Sequence, residues 1–342
     1  MRGAALLALL CLAPAARAAE PAILPAEWEA YRAAFMEPSG RVVDDANGRI
    51  SHSESQGYGL LLAVLAGNRA DFEAMWSFTR AELMVRDDGL AAWKWDPTAT
   101  PRVTDVNNAA DGDVLIAYAL DRAAEAWDRP DYRDAAKALA GALGRHAVAP
   151  TPAGPVLLPG ATGFDAGARP DGPVVNLSYW VLEAFPTLAR LDPATDWPGV
   201  AATGRALIGE AAFGPRRLPP EWLSLKGTPA PAEGFAPEFG YNALRIPLYL
   251  LRGGVTDPAL LARFQTGMDE GGDLAIGPLA GDAPWTRLSD PGYRALVALV
   301  GCGLGGAPLP AELRSFAPTN YYPSTLHLLA LAHAREAMPQ CV

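Results

Sequence analysis

The chain has 342 residues, half of them hydrophobic, and a formal net charge of −10. That is enough apolar material for a large core. The charge supplies no basic stripe to replace phosphate counterions, which excludes nucleic acid as a partner, and it suits a neutral or cationic polymer without choosing between them.

Met1-Arg2-Gly3, an apolar run over 4–13 and Ala16-Arg17-Ala18-Ala19 read as a secretory signal peptide spanning 1–19. The run is too short to span a bilayer, so an exported protein, periplasmic or secreted and without a membrane span, is expected. Residues 20–342 show no linker-like shift in composition and read as one domain. Two cysteines remain after the signal, Cys302 and Cys341. In an oxidising compartment they either pair, tying the tail to a late helix, or stand apart as a buried small residue and a frayed end.

Helical periodicity runs through 27–36, 55–66, 69–84, 110–127 and 132–146, and again through 179–188, 197–209, 241–251, 259–268, 292–300 and 325–337. Only stretches such as 41–43 and 156–158 suggest strands, too few for a sheet. The long Pro- and Gly-rich connections at 148–160, 166–173 and 227–240 suit a ring of helical hairpins with an open, functional face. No fixed-period repeat argues for a solenoid.

Two helices open on polar clusters. In Ser51-His52-Ser53-Glu54-Ser55-Gln56, Ser51 can cap the helix with Glu54 completing a capping box. Alternatively, Glu54 faces a cleft as a general acid. A helix N-terminus lowers a carboxyl pKa, so a useful acid needs burial beside aromatics such as Tyr58, Trp93 and Trp95. In Asn107-Asn108-Ala109-Ala110-Asp111-Gly112-Asp113, Asn108 or Asp111 can cap, but two Asn and two Asp exceed what a cap needs. Paired carboxylates bind sugar hydroxyls or move protons. Trp93 and Trp95, Tyr179-Trp180 and Tyr321-Tyr322 lie beside polar residues, where aromatic faces can stack on pyranose rings; packing in the core is the competing role. The four histidines lack zinc-ligand spacing, Gly301-Cys302-Gly303 follows no strand and makes a poor nucleotide loop, and no Gly-x-Ser-x-Gly elbow occurs. No metal and no cofactor are expected.

With these segments in view, the chain resembles glycoside hydrolase family 8, and within it the endoglucanases associated with bacterial cellulose synthesis. The resemblance spans roughly 24–337 and is most specific over 109–127, where Asp111, Gly112, Asp113, Ile116, Ala117, Ala119, Leu120, Ala123 and Trp127 fit the family signature and Ala110 and Asp121 depart from it. It implies an all-α fold, the (α/α)6 barrel, and an inverting mechanism whose two carboxyls stand ~6.5–9.5 Å apart. It places the proton donor on Glu54, with Asp111 as a second catalytic carboxyl. It assigns Trp93, Trp95, Asn108, Asp113, Tyr179, Arg245 and Tyr321 to substrate binding. The implied partner is a β-glucan, cellulose, together with the cellulose synthase machinery. One position departs: where many members carry the base as Asp, this chain has Asn242, and an amide is a poor proton acceptor. The base then lies elsewhere, with Glu233 and Glu238 as local candidates, or Asp111 does more than bind sugar, or the protein binds glucan without cutting it. Chitosan, xylan and mixed-linkage glucan remain alternative polymers.

Overall fold

The computed structural model describes residues 21–342; the expected secretion signal lies outside these residues. Eleven α-helices occur among them: α1 (Pro25–Phe35), α2 (Ser53–Leu65), α3 (Arg69–Phe78), α4 (Ala110–Trp127), α5 (Pro130–His146), α6 (Phe185–Leu191), α7 (Trp197–Glu210), α8 (Ile246–Arg252), α9 (Pro258–Met268), α10 (Pro291–Gly303) and α11 (Tyr321–Ala337). Six form an inner ring in the order α2, α4, α6, α8, α10, α11, closing back on α2, with the turn Leu182–Ala184 linking α6 to α8. The others pack outside: α1 on α11, α3 on α2, α5 on α4, α7 on α6 and α9 on α10. The expected all-α barrel is therefore present, around one continuous core.

Sequence explains the two layers. In α2, Leu60, Leu61, Leu62 and Ala63 are all buried, as is nearly every residue of α8 and of the first three turns of α11. Helices apolar on all sides must sit inside. Outer α5 buries Tyr132, Ala136, Leu139, Ala140 and Leu143 along one stripe and leaves the opposite face to Arg133, Asp134 and Lys137.

Two expected helices begin later than their periodicity suggests. The stretch 179–188 is a pair of 3-10 turns, Leu177–Tyr179 and Leu182–Ala184, before α6; the stretch 241–251 opens as the 3-10 turn Ala243–Arg245 before α8. Pro186 and Pro247 set these starts, because proline fits only the first helical turn, where its missing N–H has no partner to lose. Short strands are also more numerous than expected. Asp273–Pro278 pairs with Thr286–Leu288, Asp269–Glu270 and Glu238–Phe239, and Val148–Thr151 forms a hairpin with Gly154–Leu157. They decorate the barrel ends and do not form its core. Cys302 and Cys341 are joined by a disulfide with Cα atoms 6.0 Å apart, which ties the tail to α10. No helix among the described residues is long and apolar enough to cross a membrane.

The closest crossing positions the chemistry. A Cβ on Gly57 of α2 would stand 2.6 Å from Leu115 Cβ, and one on Gly112 of α4 would stand 2.2 Å from Ser53 Oγ and 2.7 Å from Glu54 N. Both glycines are needed for the backbones to approach this closely, and the approach brings the start of α2 against the start of α4. Buried Gln56 locks the junction: its Oε1 accepts Val42 N–H at 2.7 Å and its Nε2 donates to Thr79 Oγ1 at 3.0 Å.

Candidate active site

The two polar helix starts meet at the floor of a cleft of about 700 Å3. Glu54, Asp111, Trp93, Tyr179, Asn242, Arg245 and Tyr321 line it, joined by His52, Asp44, Asp290, Tyr241, Tyr293 and Tyr322. Strand pairing sets the Trp93 loop: Ser51–His52 pairs with Lys94–Trp95, Ser53 N–H donates to Trp93 O at 3.0 Å, and Trp93 N–H donates to Asn107 O at 2.8 Å.

The alternatives at Glu54 separate here. The cap of α2 is His52: its Nδ1 accepts Ser55 N–H and its own N–H donates to Ser55 Oγ, both at 3.0 Å. Glu54 takes no part in the cap. Its carboxylate instead accepts Arg245 Nη1–H at 2.5 Å, while Arg245 Nη2–H donates to Asp111 Oδ2 at 2.6 Å. One guanidinium fork thus spans two carboxyls. Arg245 and Asp111 are about 2% exposed and the Glu54 side chain 18%, so Glu54 is the member open to the cleft. Tyr322 supports the arginine, accepting from Nη1 at 3.4 Å and donating to Tyr241 O at 2.7 Å.

Burial and the neighbouring Glu54 charge push Asp111 up to about 7, against the opposing pull of Arg245. The Asp111 carboxyl therefore titrates near neutral pH, beside the Glu54 carboxylate and the single cation that faces both. His52 adjoins them, with Nδ1 3.8 Å from Glu54 Oε2 and Nε2 3.4 Å from Asp44 Oδ2. Burial disfavours its imidazolium, but Asp44, Glu54 and Asp111 together raise its pKa. No group of three His, Cys, Asp or Glu arranged to hold a metal occurs among the described residues.

Several residues read as substrate contacts lie elsewhere. Asp113 is fully buried behind the cleft, where it accepts Ala91 N–H at 2.8 Å and Asn108 Nδ2–H at 2.9 Å. Asn108 is buried with it and accepts Ala161 N–H at 2.6 Å. Both fasten loops to α4. Trp95 packs edge-on to Phe78, between the guanidiniums of Arg41 and Arg102, and donates to Glu82. Tyr321 reaches the cleft wall, but its ring is packed against Phe35 and His52 and is wholly buried. Of the positions considered for a base, Asn242 lines the cleft; Glu233 is on the surface and Glu238, half-buried on its strand, does not line it.

Burial also lifts Asp113 to about 7. The folded protein then holds protons that the unfolded chain has released, so Asp111 and Asp113 make stability fall as pH rises from about 4 to 7, by up to ~1.4 kcal/mol per pH unit for each group. Asp113→Asn removes one of them. We expect this variant to be less stable than wild type at pH 4.5, because its amide meets the Asn108 amide, and the gap to narrow towards pH 7. Parallel urea-unfolding profiles for the two proteins would contradict the shift.

Trp93 is partly exposed at the cleft, its Nε1 donating to Asp105 Oδ2 at 2.8 Å and Lys94 Nζ 5.7 Å from its ring centre. A ring so placed is open to a ligand in the cleft. Trp93→Ala should weaken oligosaccharide binding about tenfold, ~1.4 kcal/mol, while moving the melting temperature little. A large fall in melting temperature without loss of affinity would mark it as a packing residue.

Comparison with known proteins agrees with this geometry. The profile of glycosyl hydrolases family 8 matches residues 1–270. A protein of Novacetimonas hansenii described as a probable endoglucanase is 38% identical over 327 residues, 93% of each chain. An endoglucanase of Cellulomonas uda is 38% identical over 245 residues, covering 70% of this chain and 67% of the relative. Among solved structures, the endo-β-1,4-glucanase CMCax from Acetobacter xylinum superposes with a TM-score of 0.81 at 35% identity, over 93% of this chain and 98% of that one. The barrel, the carboxylates at the starts of α2 and α4, and these identities over most of the chain make this protein a member of glycosyl hydrolases family 8, and an enzyme.

Proposed function

We propose that this enzyme is an exported endo-β-1,4-glucanase that hydrolyses cellulose chains with inversion, with Glu54 as its general acid. The observation that carries the reading is the Glu54–Arg245–Asp111 cluster on the floor of a cleft walled by Trp93, Tyr179, Tyr241 and Tyr322. The relatives' description as endoglucanases supports the substrate class.

The residues divide the work. Aromatic rings hold apolar sugar faces, and the cleft carries no net positive charge that would favour an acidic polymer. Glu54, the more exposed carboxyl, delivers its proton to the glycosidic oxygen as the bond to the anomeric carbon breaks. Water adds to that carbon from the opposite face. Arg245, itself anchored by Asp111, fixes the position of Glu54. Export rests on the sequence of residues 1–19, and service to a cellulose-synthesising apparatus rests on the family resemblance alone.

Asn242 favours a second reading, a glucan-binding protein that has lost hydrolysis. The two separate in solution. An endoglucanase lowers the viscosity of a soluble cellulose derivative faster than it releases reducing ends, and does so less on chitosan, xylan or mixed-linkage glucan. Tight binding with no new reducing ends on any of these polymers would favour the binding protein.

A further inference from the structure

His52 caps the helix that carries Glu54, and it lines the cleft. The cap is reciprocal. His52 Nδ1 accepts Ser55 N–H and His52 N–H donates to Ser55 Oγ, both at 3.0 Å, while Ser55 Oγ donates to His52 O at 2.8 Å. These bonds join residues 52 and 55, and Glu54 lies inside the turn they close. The course of Glu54 out of the helix is therefore set from its own backbone as well as by Arg245.

Side-chain caps are ordinarily Ser, Thr, Asp or Asn. Histidine differs because its accepting atom can take a proton at ordinary pH. A ring nitrogen that accepts a backbone N–H carries no proton of its own. The ring proton of the capping His52 is therefore on Nε2, towards Asp44 Oδ2 at 3.4 Å. The cap exists only as the neutral imidazole. The same Nδ1 stands 3.8 Å from Glu54 Oε2, the oxygen that Arg245 leaves free.

The groups around the ring favour a proton there. Burial opposes the imidazolium, but Asp44 from the loop before α2, Glu54 on α2 and Asp111 at the start of α4 outweigh it. Of the other elements packed against His52, α11 presents the edge of the Tyr321 ring at 5.9 Å, and Lys94 on the paired strand turns its ammonium to Asp96 at 3.7 Å.

We propose that His52 is a positioning residue for Glu54, capping its helix only as the neutral imidazole, and that a proton taken up on Nδ1 exchanges this cap for an ion pair with the Glu54 carboxylate. The proposal rests on the reading of Glu54 as general acid. In the exchanged state the Ser55 N–H loses its acceptor and Glu54 lies between two cations, Arg245 and the imidazolium. A carboxylate so held has no proton to deliver to the glycosidic oxygen. Turnover therefore falls on the acid side as His52 is protonated.

The competing role for His52 is that of a cap alone. His52→Asn separates the two, because the Asn oxygen accepts Ser55 N–H and does not titrate. Turnover of cello-oligosaccharides would be measured at pH 5.5 and 7.5. The ratio of the first to the second should rise about tenfold or more in His52→Asn, since an ordinary imidazole is mostly charged at the lower pH and mostly neutral at the higher. Asp44→Asn should move the acid-side fall to lower pH by about one unit, because a carboxylate within ~4–6 Å supports the imidazolium. His52→Ala, without a cap, should turn over about fivefold more slowly than His52→Asn at pH 7.5, with little change in KM. A ratio in His52→Asn within about twofold of wild type would overturn the exchange, and equal turnover of the Ala and Asn variants at pH 7.5 would overturn the positioning role. Wild-type protein that cleaves no β-1,4-glucan at either pH would overturn the glucanase reading and this inference together, whereas an active wild type whose pH profile the variants share would overturn this inference alone.

Discussion

Glu54→Gln should cut turnover of unactivated β-1,4-glucan by ~10²-fold or more while the protein stays folded. Gln keeps the size of Glu and an oxygen that can accept Arg245 Nη1–H, the contact made at 2.5 Å in the wild type. It loses only the transferable proton. Stability should hold or rise, because the Glu54 charge is the second cause, after burial, of the raised Asp111 pKa; without it the Asp111–Arg245 pair faces no rival. The defect should also depend on the leaving group. A dinitrophenyl cello-oligoside, whose phenolate leaves without protonation, should be cleaved with a much smaller loss. A uniform loss on both substrates would point to misplaced sugar and away from acid catalysis, and near-normal turnover of the unactivated glucan would reject the role of Glu54.

The second large effect is expected at Arg245. Its guanidinium is 2% exposed and holds Glu54 and Asp111 at 2.5 and 2.6 Å. Arg245→Met keeps most of the volume and leaves two adjacent carboxyls with no cation between them. Breaking a buried ion pair from one side costs about 3–5 kcal/mol, and here the loss should depend on pH. Wild-type Asp111 is already raised to about 7, and without Arg245 its folded-state pKa lies higher still. A carboxyl whose folded pKa exceeds its unfolded value destabilises the fold increasingly as pH rises through that interval. Unfolding in urea should therefore show a loss at pH 8 well above that at pH 5, where the carboxyls take up protons. Turnover should fall by ~10²-fold or more at either pH as Glu54 loses its orientation. Arg245→Lys should recover part of the stability and little of the activity, since a single ammonium cannot reproduce the planar fork. An equal loss of stability at pH 5 and pH 8 would show that Arg245 acts by packing.

The readable parts of the site were those carried by short stretches of chain. Glu54 and Asp111 each sit at the polar opening of a helix; the surplus of Asn and Asp marked Asp111, and the family resemblance marked Glu54. The barrel was readable because inner helices such as α2 and α8 are apolar on every face while outer ones such as α5 carry a single stripe. Arg245 was different. It was read as a sugar contact because its bond to Glu54 joins residues 191 apart in sequence, and no local pattern encodes that distance. Asp113 was grouped with Asp111, yet two residues along a helix turn through ~200°, so one faces the cleft and the other the loop at Ala91. Trp95 and Trp93 looked equivalent in sequence; only pairing with the start of α2 turns Trp95 towards Phe78.

The central claim is most directly tested by product analysis after the purified mature protein is incubated with soluble cello-oligosaccharides and with carboxymethyl-cellulose, with Glu54→Gln alongside. The account predicts short oligosaccharides from wild type and almost none from the variant. Binding without products from the wild type, or equal products from both proteins, would contradict it.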